Sequence, residues 1–161
     1  MRSQAGTKVD RLRAKLLFKQ LIAVGELTGA KMNLKKCCPP ARVMEILGFT
    51  YDSIKKLCRL SEEKKKKYIQ RINVAIHSPD VTVKDLEKIV GNLTYSAWVA
   101  PFGRPFLSVL SGKISPSARG NSIKMTNAMY NALVVWRMIL TKNKGLSFDF
   151  IFGKLPRAKN E

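Results

Sequence analysis

The chain has 161 residues, 45% of them apolar, which suffices for one domain with a real core or for two small lobes and excludes disorder throughout. Its 30 Lys and Arg stand against 11 Asp and Glu, a net charge of +19. Self-repulsion on that scale is ordinarily offset by a polyanionic partner that releases condensed counterions, which makes nucleic acid the first expectation and an anionic membrane surface the second.

From the N-terminus, "MRSQAGTKVDRLRAK" is basic and bears a weak likeness to a mitochondrial presequence, against which Asp10 and the smooth run into a helix argue. Residues 8–28 predict a helix: Leu12, Leu16, Leu17, Leu21, Val24 and Leu27 recur at helical spacing, and Gly29 is placed to end it. "KMNLKK" (31–36) predicts a short strand cut by "CCPP". Residues 43–50, "VMEILGFT", and 56–60, "KLCRL", predict two strands joined across "YDSIK". Ser61 suits an N-cap, with Glu62 and Glu63 in the first turn where the helix dipole favours them. That helix should run to about Ala75 behind a stripe of Tyr68, Ile72, Ala75 and Ile76, and "HSPD" should break it.

Thr82 followed by Asp85 resembles a capping box and opens a helix with Leu86, Ile89, Val90, Leu93 and Ala97 on one face. "APFGRP" (100–105) predicts a turn, "FLSVL" a short helical piece and 111–122, rich in Gly, Ser and Pro, a linker. A final helix over about 124–142 is built around Met129, Leu133, Trp136 and Leu140, and "LSFDFIF" (146–152) alternates like one strand without a visible partner. The order predicts an α+β fold, mainly helical, divided at 1–60, 61–110, a linker at 111–122, and 123–161.

No apolar run reaches the roughly 18–20 residues of a membrane span, so no membrane partner is expected. Cys37, Cys38 and Cys58 are odd in number, and the single His77 supplies no zinc-finger spacing, which predicts reduced thiols and an intracellular chain, in cytoplasm, nucleus or a mitochondrial ribonucleoprotein. The sequon "NLT" (92–94) falls inside an apolar helical pattern and is discounted.

The densest basic cluster joins Lys55, Lys56, Arg59, Lys64 to Lys67 and Arg71. Four consecutive lysines span slightly more than one helical turn, so only two or three of them can meet one phosphate backbone and the others must be solvated. "VGNLTYSAWVAP" (90–101) is more pointed. A Gly inside a patterned helix costs about 1 kcal/mol against Ala, so Gly91 implies a close approach, either by a neighbouring helix or by a nucleic-acid backbone. Tyr95 lies four residues on, on the same face, with Thr94 beside it. The acids are scattered, and no Gly-rich phosphate loop, Ser/His/Asp set or metal-ligand spacing occurs. The residues describe a binding module with no cofactor of its own.

Taken in order, "GAKMNLKKCCPPARVMEILGFTYD", "LSEEKKKKYIQRI", "TVKDLEKIVGNLTYSAWVAPFGRPFLSVL" and "ALVVWRMIL" resemble retroelement reverse transcriptases, above all the DIRS-like branch, with looser likeness to the Ty3-type and retroviral enzymes. The likeness covers about residues 8–142. It implies the end of a palm, a primer-grip hairpin at "LGFTYD", a thumb over 61–110 and the start of a connection region. On that resemblance Leu47, Gly48 and Phe49 would position a primer end, Gly91, Thr94 and Tyr95 would line a duplex minor groove, and Lys88 would sit near phosphate. Lys35, Lys36, Lys55, Lys56, Arg59, Lys64, Lys67, Arg71 and Arg104 would add cationic contacts. The family's Y-x-D-D motif, expected just before residue 8, is not in the sequence, so the chain alone is not expected to polymerise; Mg²⁺ enters only if missing or partner sequence supplies the carboxylates. Glu87 stands where relatives carry glutamine, and would repel phosphate. The implied function is sequence-independent grip of an RNA or RNA/DNA duplex, with the missing polymerase portion as a partner. The alternative is a structural RNA-binding subunit of a ribosome or other ribonucleoprotein, repurposed from a reverse transcriptase.

Overall fold

Helix α1 spans Gln4–Leu27 in the computed structural model, which describes residues 4–30, 33, 37–114, 122–151 and 153. The helix ends as its sequence predicts: Thr28 N–H donates to Val24 O at 2.9 Å and Gly29 turns the chain at φ 72°. Leu12, Leu16, Leu17, Leu21, Val24 and Leu27 are all exposed. The chain divides into two compact units, Met1–Met44, which holds this helix, and Glu45–Glu161. The strand expected over 31–36 falls, apart from Asn33, outside the described residues, and Lys35 and Lys36 with it.

Strands β1 (Val43–Ile46), β2 (Phe49–Asp52) and β3 (Leu57–Leu60) follow. The single strand expected over 43–50 is therefore a tight hairpin. Leu47 and Gly48 both take positive φ, 52° and 79°, the signature of a two-residue type I′ turn whose twist suits the flanking strands. Asn-Gly would have announced that turn; leucine at its first position hides it. The second reversal falls where it was expected. Asp52, buried, accepts from Ile54 N–H at 3.0 Å and Lys55 N–H at 2.9 Å, and β2 pairs antiparallel with β3 from Phe49↔Leu60 to Asp52↔Leu57.

Helix α2 (Glu62–His77) starts after Ser61, as expected, although the Ser61 side chain makes no capping bond. β4 (Asp80–Thr82) leads into α3 (Val83–Ser96), whose start shows one half of the anticipated capping box: Thr82 Oγ1 accepts from Asp85 N–H at 3.1 Å, while the Asp85 carboxylate accepts from the Thr82 hydroxyl at 2.8 Å. A 3-10 turn at Pro101–Gly103 runs into α4 (Arg104–Ser111). Both ends of the expected linker belong to elements, since Ser111 closes α4 and Ser122 opens β5 (Ser122–Lys124), which pairs antiparallel with β4; residues 115–121 between them lie outside the described residues.

Helix α5 (Asn127–Lys142) supplies the centre of the core. Trp136, Leu133 and Met129 are fully buried with Ile72 of α2, Leu86 and Leu93 of α3 and Leu110 of α4. Each such aliphatic side chain contributes about 1.5–3 kcal/mol by leaving water. Gly103 lies flat on Trp136, where a Cβ would come within 2.5 Å of the indole.

The strand expected over 146–152 is corrected to β6 (Leu146–Ser147) and one helical turn, α6 (Phe148–Ile151). β6 pairs with β3 through Leu57↔Ser147 and Cys58↔Leu146. Beyond Leu57 the partner strand turns away at Lys56, whose φ is 52°, so Phe148 N–H makes a last bond to Lys56 O at 2.9 Å and no further ladder exists. The sheet order is β1-β2-β3-β6, and with the β4-β5 pair the fold is α+β and mainly helical.

Candidate functional site

The tip of the first hairpin is held by two side chains from the helices below it. Lys64 Nζ, on α2, donates to Leu47 O at 3.1 Å and to Tyr95 Oη at 3.0 Å, and Tyr95 Oη, on α3, itself donates to Leu47 O. The Lys64 ammonium also lies 4.1 Å from the centroid of the Tyr95 ring. Hydrogen bonding to Tyr95 holds the Lys64 pKa above its usual value. The Phe49 ring stacks on Tyr95 at 4.5 Å and 21°, and faces Trp98 at 6.1 Å. Gly48 takes a φ of 79°, which favours glycine, and a Cβ there would meet the flexible end of the Lys64 side chain and displace it. Leu47, Gly48, Phe49, Lys64 and Tyr95 are thus brought into one constellation. The tip carries Leu47 outward at 84% exposure.

Helix α3 presents a second group. Glu87, Lys88, Gly91 and Thr94 are exposed along its outer face, while Leu86, Ile89 and Leu93 are buried on the inner one. Among the described residues nothing lies within 4 Å of a Cβ placed on Gly91, so no neighbouring helix uses the approach that the glycine permits. Lys88 is tied to Asp85 at 3.0 Å, and the Thr82 hydroxyl, followed by Lys88, holds the Asp85 carboxyl below the usual carboxylate range.

The remaining cations spread over several faces. Arg71 and Lys88 converge with Asp80 and Asp85 on a groove of about 390 Å³ between α2 and α3, so the charge there is balanced. Lys67, Lys55 and Lys56 are exposed, the last two in the β2–β3 turn. Arg59 is half-buried at the foot of β3, and Arg104 is exposed at the first position of α4. Of the four consecutive lysines, Lys64 is used by the hairpin, Lys65 lies 4.0 Å from Glu62, and Lys66 and Lys67 point to solvent.

Two exposed aromatics escaped the residue-by-residue reading. Trp98 and Phe102, 52% and 58% exposed, flank the buried pair Val99 and Ala100 just past the end of α3. Their signal in the sequence was an aromatic at each end of a "WVAPF" stretch whose middle is apolar enough to be core. Burial pushes the Cys58 thiol up, with the Tyr51 hydrogen bond pulling the other way, so this cysteine is a core residue. Among the described residues no three His, Cys, Asp or Glu side chains come together to hold a metal ion. No helix of the described residues is long and apolar enough to cross a membrane. Comparison with protein-family models, with curated proteins and with solved structures finds no match to this chain.

Proposed function

We propose that this chain binds nucleic-acid duplexes, RNA or RNA/DNA, independently of sequence, as a palm-end and thumb module of reverse-transcriptase type that lacks the catalytic carboxylates. The observation that carries the reading is the uncovered Gly91 on the outer face of α3. A mid-helix glycine costs about 1 kcal/mol against alanine, and no packing within the described residues accounts for it. A groove wall or sugar-phosphate backbone resting between Lys88 and Thr94 would use the space, in a chain whose net charge of +19 favours a polyanion. The primer-grip hairpin would face the same ligand, with Lys64 and Tyr95 fixing its tip.

The test is a pair of substitutions read by duplex titration at fixed salt. Gly91→Ala and Gly91→Leu both favour the helix, so the stability read by urea unfolding should hold or rise by up to about 1 kcal/mol. Gly91→Leu should nonetheless weaken duplex affinity about tenfold, with Gly91→Ala between, as a branched side chain props the backbone away. An unchanged affinity for Gly91→Leu would sink the reading. Primer extension by the isolated chain with Mg²⁺ is expected to yield no product.

A second reading, a subunit of a ribosome or other ribonucleoprotein, is favoured by the exposed leucine row of α1, which suits a protein partner. Co-sedimentation of the native protein with a large RNA particle supports it, and recovery solely as a free monomer counts against it.

A further inference from the structure

Resting on the nucleic-acid reading, we infer that Trp98 and Phe102 form a stacking platform for unpaired bases at the end of a duplex or in an adjoining single strand. The platform is distinct from the α3 groove face and lies beyond its C-terminal end.

The two rings are presented rigidly. Val99 and Ala100 between them are buried at 2% and 0% exposure, and Gly103 immediately after is pressed on Trp136. Asn143 Nδ2 donates to Val99 O at 2.9 Å, and Val99 and Ala100 N–H both donate to Ser96 O at 3.1 Å. The backbone on both sides of each exposed ring is thus anchored while the rings themselves stay half in water. Phe49, tilted 42° at 6.1 Å, backs Trp98 from the hairpin side. Exposing this much aromatic surface on an anchored backbone loses burial without gaining freedom, which a ligand with a flat apolar face would recover.

Charge selects the class of that ligand. No acidic residue occurs between Glu87 and Asp149, so the segment carrying both rings is free of acids and carries Arg104 two residues beyond Phe102. Arg104 is exposed at the first position of α4, the end where the helix dipole disfavours a cation, so its charge serves no helix-stabilising purpose there. Within that segment a basic peptide would find no carboxylate, whereas a base with its phosphate finds a ring to stack on and, two residues past Phe102, an exposed arginine. Glu87 sits at the opposite end of the exposed α3 face and repels phosphate there, which directs a strand toward Gly91, Thr94 and then Trp98.

Trp98 also provides the readout, because the second tryptophan, Trp136, is fully buried and blind to a surface ligand. The experiment titrates the full chain with a short blunt RNA/DNA duplex and with the same duplex bearing a few unpaired nucleotides. The overhang should bind about tenfold tighter and quench and shift the Trp98 emission. Trp98→Ala should abolish that advantage and Trp98→Phe keep most of it, while Phe102→Ala should reduce it. All three leave blunt-duplex affinity near wild type. Equal affinity for the two probes with unmoved emission overturns the platform while leaving duplex binding standing. Binding of neither probe overturns the nucleic-acid reading itself and the platform with it. A change of sedimenting mass on Trp98→Ala, without a change in overhang preference, reassigns the surface to self-association and also overturns the proposal.

Discussion

At Leu47 a bulky side chain adopts a left-handed conformation, φ 52°, and is 84% exposed, so it gains little from burial for the backbone strain it carries. Its carbonyl, however, is the meeting point of Lys64 Nζ and Tyr95 Oη. The two effects separate by substitution. Leu47→Asn keeps the carbonyl and relieves the strain, since Asn-Gly is the favoured pair for this turn, and should raise stability by about 0.5–1 kcal/mol. Tyr95→Phe keeps the stack on Phe49 but leaves Leu47 O with Lys64 alone, and should lower stability by about 1 kcal/mol. Urea unfolding midpoints of the two variants against wild type decide the matter; a destabilised Leu47→Asn would mean that the leucine side chain itself packs in solution.

Among the elements, α3 depends on its first turn. Thr82 and Asp85 exchange bonds there, backbone N–H to Oγ1 at 3.1 Å and hydroxyl to carboxylate at 2.8 Å, and Lys88 adds a third partner at 3.0 Å. These bonds lower the Asp85 pKa, with Thr82 the leading cause. A depressed carboxyl pKa contributes stability that is present above its ordinary value, near 4, and lost as pH falls through the folded value. The contribution should therefore be constant from pH 5 to 8, about neutral conditions, and disappear only in acid. In thermal melts, Asp85→Asn should lie below wild type at about pH 7 and converge on it toward about pH 2; a gap that persists in acid would assign the effect to something other than the ionised carboxylate. This helix cap was legible because Thr82 and Asp85 sit three residues apart. The helices were legible for the same reason: Leu86, Ile89, Leu93 and Tyr68, Ile72, Ala75 are buried at the spacing the sequence shows. The β4-β5 pair was not, since three residues carry no period and the partners lie about forty residues apart. The candidate site divides likewise. Gly91, Thr94 and Tyr95 share a face by helical arithmetic alone, whereas the junction of Lys64 and Tyr95 on Leu47 spans 17 and 48 residues and exists only in the folded chain.

For the whole molecule the governing quantity is the net charge of +19, which acts on folding and on binding with opposite signs. In the free protein, like charges such as exposed Lys66 and Lys67 repel, while the ion pairs Lys65–Glu62 and Lys88–Asp85 lie at the surface. Both are surface pairs of the kind worth at most about 1 kcal/mol, too little to offset the repulsion. Added salt screens that repulsion, since the Debye length falls from about 30 Å at 0.01 M to about 8 Å at 0.15 M, so the free protein should melt at higher temperature as salt is raised. Duplex affinity should move the other way, because each phosphate neutralised releases counterions and steepens the loss by about 0.9 in log affinity per log salt. Lys64 is engaged at the hairpin and Lys88 at Asp85, so the set of cations free to meet phosphate is smaller than the charge count implies. A slope of about −3 to −5 is expected, well short of what the full excess of positive charge would give. Melting and duplex titration on one salt series, from about 0.05 to 0.5 M, test both halves together. A melting temperature that falls with salt would mean that the positive charges are internally compensated. An affinity indifferent to salt would mean that phosphate is not what they contact.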